Sequence, residues 1–423
     1  SQHIGAPSQV LVRVGDRVER GDIIAEAGGF VSVPLHASVS GTVTKIARAP
    51  HPNGTYSPAV HIKVDPFSAQ APRPRMIPDW EGLSPKELLS AIQAGGLVGL
   101  GGAAFPTHVK LSPPPDQKIE VVLLNGCECE PYLTTDHRSM VEYPHRVHLG
   151  TRIMMKALGV KKAIVGIENN KPDAIKIMRE TVPDDLNIEI VALNVKYPQG
   201  AEKMLIKALI DREVPEGGLP MHVGAVVQNV ASVATIAEIF ETGLPLVERI
   251  ITVTGQGLNK PRNLIVPIGT KLRDLIDACG GLTEDAAEVI MGGPMMGPAQ
   301  GNLDTPILKG TSGVVVLNKT EAHPETVYPC IRCGHCLDAC PVFLNPQAMG
   351  SLGLNMEYEE MQTDLHLDTC MLCGCCSYVC PSKIPLSHIF TVARAKLTGD
   401  AAKARAEAAK AKADAADAKE AAK

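Results

Sequence analysis

The chain has 423 residues, with 41 basic against 46 acidic side chains and a formal net charge of −5. That length holds three or four domains with cores of their own, and the mild acidity with only 3% aromatics excludes a basic, base-stacking nucleic-acid surface. No run of 18 apolar residues and no charged-then-apolar leader is present, so no single segment is predicted to cross a membrane; the opening Ser1-Gln2-His3, without methionine, reads as a fragment of a longer protein.

Residues 1–70 read as short strands, at Val10–Val14, Ile23–Ala25, Val39–Lys45 and Val60–Val64, punctuated by glycines. The strings VRVGDRVERGDIIAEAGG and VSGTVTKI resemble a biotinyl/lipoyl barrel-sandwich domain. The turn Gly28-Gly29-Phe30-Val31 lacks a lysine to modify, which predicts a structural domain without a swinging arm. A proline-rich linker, DPFSAQAPRPRMIPDW, leads into a block over 71–245. Helical periodicity at Ser84–Gly95, Pro144–Leu158, Lys171–Thr181 and Ala201–Asp211 alternates with strands at Ile119–Leu124, Ala163–Ile167 and Ile188–Leu193, which predicts a Rossmann-like layered sheet. Residues 246–325 start with the β-rich run RIITVTGQGLNKPRNLIVPIGT. A helix at Lys271–Cys279, with Cys279 in the core, and the turn MGGPMMG follow, as in a small β-grasp (SLBB-like) unit. Residues 326–395 carry most of the cysteines, and 396–423 form an Ala/Lys-rich tail with helix propensity but no apolar stripe.

Eight of the twelve cysteines form one pattern twice: Cys330-x2-Cys333-x2-Cys336-x3-Cys340-Pro341, and Cys370-x2-Cys373-x2-Cys376-x3-Cys380-Pro381. This is the bacterial-ferredoxin spacing for two [4Fe–4S] clusters. Three closely spaced thiolates let one loop wrap three corners of a cubane, and the fourth is carried to the other cluster. The expected sets are Cys330, Cys333, Cys336 and Cys380, and Cys370, Cys373, Cys376 and Cys340. Cys375 is a spare thiol able to compete with Cys376. Zinc also takes paired C-x2-C units, and His335 and His366 are close by. Zinc leaves the third cysteine, the fourth at x3 and the proline unexplained in both copies. So many thiols in cluster spacing imply a reducing compartment, and the length excludes a small secreted disulfide scaffold.

The other strong signal is the run from Gly95 to Lys110, which holds Gly99, Gly101 and Gly102. Glycines let backbone N–H groups approach a phosphate, a following helix start favours the anion, and Lys110 adds a full charge. No Gly-Lys-Ser/Thr follows, so this is not a Walker loop, and taken alone it reads equally as a flexible turn. Cys127 and Cys129 form a C-x-C pair, read either as part of a metal site or as buried thiols.

In context the run GLGGAAFPTHVK resembles the flavin-phosphate loop of the NADH-binding flavoprotein subunit of respiratory complex I. NGCECEPY (125–132), YPQGAEKML (197–205) and VQNVASVA (227–234) resemble three further segments of that family, in its order. With QHIGAP at the start, the β-grasp unit and the double cluster motif, the whole order is similar to the C subunits of Rnf complexes, membrane-bound ion-translocating ferredoxin:NAD oxidoreductases. The resemblance implies FMN and two [4Fe–4S] clusters as cofactors and NAD(H) as substrate. It assigns Gly99, Gly101, Gly102 and Lys110 to the FMN phosphate, and Asn125, Gln228 and Asn229 to ribityl and phosphate groups. Glu128 and Gly200 would line the flavin ring, and Glu130 and Glu202 would hold NADH. Asn and Gln at these positions also read as loop-capping amides, and the glutamates as solvated charges. Departures from the family are Leu100 for arginine, Ala104 and His108 for glycine, Cys127 for aspartate, Ala201 for glutamate, and Pro113 where an aromatic would stack on adenine, leaving Phe105 as the candidate ring.

The implied function is electron transfer with no protein acid–base catalyst, the cofactors carrying the chemistry. The implied setting is peripheral, on the cytoplasmic face of the cell membrane. Integral-membrane and cluster-bearing Rnf subunits would be the partners, with ferredoxin reached through the complex and Na+ or H+ movement coupled to it. Two alternatives share these motifs: a soluble cobalamin reductase of bacterial microcompartments, and a ferredoxin-like adaptor that has lost its flavin.

Overall fold

The computed structural model describes residues 2–71, 79–322 and 326–421, with side chains of 404–406 and of those beyond 407 excepted. Part of the linker expected over 65–80 therefore lies outside the described residues. The chain divides into two compact units, Ser1–His323 and Pro324–Lys423.

The first unit begins with two small sheets. One pairs β1 (Gln9–Val10), β3 (Ile23–Glu26) and β4 (Leu35–His36); the other pairs β2 (Arg17–Val18), β5 (Gly41–Pro50) and β6 (Tyr56–Val64). Val18, Ala37 and Val43 form the buried centre between them. The strand expected at Val10–Val14 is confined to Gln9–Val10, because Val10, Leu11 and Val14 are all exposed and have no face to bury. The β5–β6 hairpin is longer than expected. Pro58 sits within β6, an edge strand whose missing N–H disrupts no central ladder.

Next comes α1 (Pro85–Ala94), closed by a capping box between Ser84 and Glu87. The one-turn α2 (Thr107–Lys110) follows, then β7 (Val121–Gly126), α3 (Thr135–Glu142), α4 (Pro144–Leu158), β8 (Ala163–Glu168), α5 (Pro172–Glu180), β9 (Ile188–Leu193), α6 (Glu202–Ile210), β10 (Ala225–Asn229) and α7 (Val230–Thr242). The four strands pair in parallel in the order β10-β7-β8-β9. Buried apolar clusters on each face explain the continuous apolar runs of β7 and β8. The order places β8 and β9 on one side of β7 and β10 on the other, so the topology reverses between β7 and β10. Ligands of such sheets bind beyond the carboxyl ends of the strands at that point.

The chain then forms β11 (Glu248–Thr254), β12 (Arg262–Pro267), α8 (Leu272–Ala278), β13 (Ala286–Met291) and β14 (Gly313–Asn318). The sheet order is β12-β11-β14-β13, with β11 and β14 parallel and α8 packed on a core that includes Cys279. This is the β-grasp arrangement. Among the described residues no helix is long and apolar enough to cross a membrane.

The second unit is helical: α9 (His335–Asp338), α10 (Pro346–Leu354), α11 (Tyr358–Thr363), α12 (Cys375–Tyr378) and α13 (Leu386–Ala421). The Ala/Lys-rich tail continues α13 without a break. Strong helix formers extend a helix whose first turns, at Leu386, Phe390 and Ala393, are anchored in the core.

Candidate functional site

The second unit carries its cysteines on two copies of one loop. Arg332 and Leu372 share φ values of 55° and 57°, Gly334 and Gly374 share 85° and 80°, and Phe343 and Lys383 share 56° and 55°. Each pair is forty residues apart, so the backbone repeats with the cysteines. Left-handed backbone at a non-glycine residue is costly, and here it curls each loop around its thiols. The Arg332 N–H points at Cys330 Sγ and the Leu372 N–H at Cys370 Sγ, both at 3.4 Å. Two hollows result. Cys330, Cys333, Cys336 and Cys380 line one, and Cys340, Cys370, Cys373 and Cys376 line the other. The fourth cysteine of each motif thus faces the hollow of the other motif.

Cys375 opens α12 and also lines the second hollow. Burial pushes the Cys376 thiol up to about 12, whereas a hydrogen bond from Cys375 pulls Cys373 down to about 6. Among the described residues no three Cys, His, Asp or Glu donors converge as a single metal ion requires. Thiols spread around a hollow suit a cluster instead, since a cubane separates its four thiolates by the width of its own cage. The donor set and the crossed hollows fit two [4Fe–4S] clusters.

In the first unit the glycine-rich run closes on itself. Gly99 N–H donates to Phe105 O at 2.8 Å, and Thr107 N–H donates to Leu97 O at 3.2 Å. Gly101 and Gly102 form its exposed tip. A Cβ on Gly101 would lie 3.4 Å from that of Asn229, and Gly102, at φ +117°, has open space where a Cβ would be. Asn229 ends β10, and its register partner on β7 is Asn125. The loop therefore overhangs the strand ends where the sheet order reverses. The helix it faces is the long α7, whereas the helix that follows it in sequence, α2, is a single turn. Ala104, at a family glycine position, stands at φ 52°. His108, at another, is buried and bonds the Phe30 carbonyl of the barrel sandwich at 2.8 Å.

The other expected residues converge on these strand ends with differing commitments. Asn125 donates to Gly200 O at 2.8 Å and accepts from Cys127 N–H. Asn229 caps α7 and donates to Asp136 at 2.6 Å. Gln228 is buried, and its Nε2 has no protein partner. Lys110 pairs with Glu202 at 2.6 Å and lies 3.4 Å from Val227 O, so these two residues meet each other. Glu128 turns from the loop to cap α3, accepting from Thr135 Oγ1, Asp136 N–H and His137 N–H. Glu130 accepts from Met295 N–H of the MGGPMMG turn at 3.0 Å; its Oε1 is buried without a partner, and burial raises its carboxyl. Gly200 packs on the Cys127 carbonyl and donates to Cys129 Sγ at 3.3 Å. Burial lifts the Cys129 thiol to about 11 and Cys127 higher still, so both are buried neutral thiols.

The open glycine tip stands over the strand ends at the switch point, and the Gln228 Nε2 and the Glu130 Oε1 are buried polar atoms without a protein partner. That combination fits a flavin phosphate and a polar nucleotide. Asp136 and Arg249 are neighbours that the sequence did not single out. Burial and the Glu128 charge push Asp136 up to about 8, against the Asn229 hydrogen bond and the Arg249 charge. Asp136 lies in a polar stretch with no motif, and Arg249 in a β-rich run, so no local signal marked either.

Family models match in the same order along the chain: the RnfC barrel sandwich hybrid domain over residues 1–66, the Nuo51 FMN-binding domain over 92–238, the SLBB domain over 250–299 and the 4Fe-4S dicluster domain over 326–384. The C subunit of the proton-translocating ferredoxin:NAD(+) oxidoreductase complex of Clostridium ljungdahlii is 48% identical, over 86% of this chain and 80% of its own. The chain belongs to the RnfC family. The Na(+)-translocating counterpart of Acetobacterium woodii is 42% identical, over 87% of this chain and 83% of its own. An RnfC relative from Pseudomonas aeruginosa, the C subunit of an ion-translocating oxidoreductase complex, is 41% identical over 85% of this chain but only 47% of its own. Among solved structures, an NAD+-reducing [NiFe]-hydrogenase in the H2-reduced state shares the fold with a TM-score of 0.52 at 22% identity, over 67% of this chain and 55% of that one.

Proposed function

We propose that this RnfC chain passes electrons between NAD(H) and two [4Fe–4S] clusters by way of FMN, as a peripheral subunit on the cytoplasmic face of an ion-translocating ferredoxin:NAD+ oxidoreductase complex. The observation that carries it is the pairing of a glycine-rich loop over the switch point of a parallel sheet with two hollows of four crossed cysteines each. Gly99, Gly101 and Gly102 would shape the loop around the FMN phosphate, with Gln228 offering its free amide and Asn125 and Asn229 fixing the strand ends. Lys110 and Glu202 would exchange their mutual contact for flavin and nucleotide, and Glu130 would take the nucleotide with its unpartnered oxygen. Gly200 keeps the backbone low beside the ring position, where a Cβ would meet Cys129 Sγ at 3.1 Å. Glu128 acts through α3, which it caps. FMN, when bound, supplies the conversion between a two-electron hydride and one-electron centres. The protein positions and insulates, and no side chain is needed as an acid or base. The two relatives named for different ions, one proton-translocating and one Na(+)-translocating, agree with ion movement residing in partner subunits.

Anaerobic reconstitution with iron, sulfide and FMN tests this. The expected product holds about two clusters and one flavin per chain, and NADH bleaches the flavin first and then the clusters. Protein loaded with clusters alone should stay oxidised with NADH and respond to dithionite. Fast cluster reduction by NADH in flavin-free protein would refute the route.

A further inference from the structure

Two cations are buried behind the glycine-rich loop, and both come from the β-grasp block. Lys309 is 1% exposed, and its ammonium donates to Gly96 O at 2.6 Å and Pro34 O at 3.1 Å. Arg249, 5% exposed, donates to the carbonyl of Lys309 and to Leu100 O at 3.3 Å. The loop is thus gripped by its carbonyl oxygens near its start and just before its tip. The chain after Lys309 lies against the tip itself, since a Cβ on Gly310 would stand 2.9 Å from Gly102 O and 3.0 Å from Ala104 Cβ. Among the described residues no carboxylate forms an ion pair with Lys309, and Arg249 has only the charge of the neighbouring Asp136, with no ion pair between them. By contrast Lys110, the cation that the sequence put forward, is already neutralised by Glu202.

A buried charge without a counter-ion is expensive, and folds tolerate it where a ligand completes the pair. Here the loop that the two cations hold at Gly96 O and Leu100 O ends in the open tip of Gly101 and Gly102. Leu100 contributes only its backbone there, so the two cations add countercharge from behind the loop to whatever Lys110 supplies on giving up Glu202. We propose that Lys309, supported by Arg249, is a positioning residue for the FMN phosphate, fixing the loop and supplying buried positive charge from the β-grasp block. This rests on the FMN reading above and adds a determinant of phosphate recognition outside the flavin-binding block.

Other charged or titratable groups face this ammonium. His36 lies on β4 beside Gly96, 3.2 Å from where its Cβ would be, and His3 lies on the barrel-sandwich side. Burial keeps His3 below its usual range, so it is neutral above pH 7. On β11 stands Arg249, with Asp136 of α3 beyond it. Burial holds Lys309 down to about 7 in the flavin-free protein. A dianionic phosphate nearby favours the charged lysine, so its pKa rises on binding. FMN affinity should then be highest where the lysine is already charged and fall as pH rises above about 7. The phosphate's own second ionisation, at about 6, is complete across that window.

Riboflavin, which lacks the phosphate, separates charge recognition from packing. Dissociation constants of FMN and riboflavin for flavin-free protein can be read from quenching of flavin fluorescence between pH 7 and 9, in wild type and Lys309→Met. Wild type should prefer FMN, with a preference that declines as pH rises while riboflavin binding stays level. The variant should lose about tenfold or more of that preference, keep its riboflavin affinity and show no decline with pH. Equal loss of both flavins in Lys309→Met would make the lysine a packing element and overturn the proposal. Should the variant not fold, a wild-type preference that is flat with pH overturns it equally. A wild type that binds neither flavin would instead sink the FMN reading itself.

Discussion

In the cluster unit every expected ligand lies between Cys330 and Cys380, on two loops whose backbone turns left-handed at the same three positions. In the flavin-binding unit the groups around the glycine tip come from Leu100, Asn125, Gly200, Gln228, Arg249 and Lys309, drawn from two sheets and the loops between them. The first site is built from local geometry: a left-handed residue, a glycine and a one-turn helix, used twice. The second is built from topology, because the reversal of strand order between β7 and β10 opens a crevice that residues far apart in sequence then furnish. A local site should fail in halves. A topological one should fail by degrees, according to which contributor is altered.

The largest effect is expected from Cys340→Ala. Cys340 lines the hollow of Cys370, Cys373 and Cys376 and not that of its own motif. The variant should therefore lose the second cluster and keep the first, with iron falling by about half. Iron and sulfide analysis with electron paramagnetic resonance reads this directly. Loss of the cluster held by Cys330, Cys333 and Cys336 would undo the crossed assignment.

The same contrast explains what could be read from the sequence. The two groups of cysteines were legible because their spacing sets them, and the hollows they line are crossed between the motifs as the repeat led one to expect. The helices at Pro144–Leu158 and Pro172–Glu180 and the strands β8 and β9 were legible because helical periodicity and apolar runs are local signals. Asp136, Arg249 and Lys309 were not, since each lies in a stretch with an ordinary reading and gains its role only when another element packs over it. The division of labour among the motif residues was equally hidden. Nothing in NGCECEPY distinguishes Glu128, which caps α3, from Glu130, which lies under the MGGPMMG turn. Two carboxylates two residues apart are separated by a turn that only the tertiary structure sets.

That turn offers an intermediate test. A Cβ on Gly293 would stand 2.6 Å from Glu130 Cβ, so Gly293→Ala must push the β-grasp turn off the carboxylate. The hydrogen bond from Met295 N–H would lengthen or break, and Glu130 would lose the donor that orients it. With Glu130 as a nucleotide ligand, KM for NADH should rise on the order of tenfold, while FMN and iron contents stay at wild-type levels. Loss of FMN with an unchanged KM would move Glu130 from the nucleotide to the flavin.

Ala104→Gly should have the smallest effect, and it probes how much of the loop's shape is set by its own residues. Ala104 is held at φ 52°, where a side chain costs about 1 kcal/mol relative to glycine. Against that relief stand the greater chain entropy of glycine when unfolded, about 0.5 kcal/mol or more, and the loss of a half-buried methyl. These contributions nearly cancel, so the flavin-free protein should change in stability by about 0.5 kcal/mol or less, read from a denaturant midpoint at unchanged slope. FMN affinity should hold within about twofold, because the loop is fixed from outside by hydrogen bonds to Gly96, Leu100 and Ala104. A tenfold loss of FMN affinity would mean that the methyl itself stiffens the loop. The flavin site would then depend on local geometry as the cluster loops do.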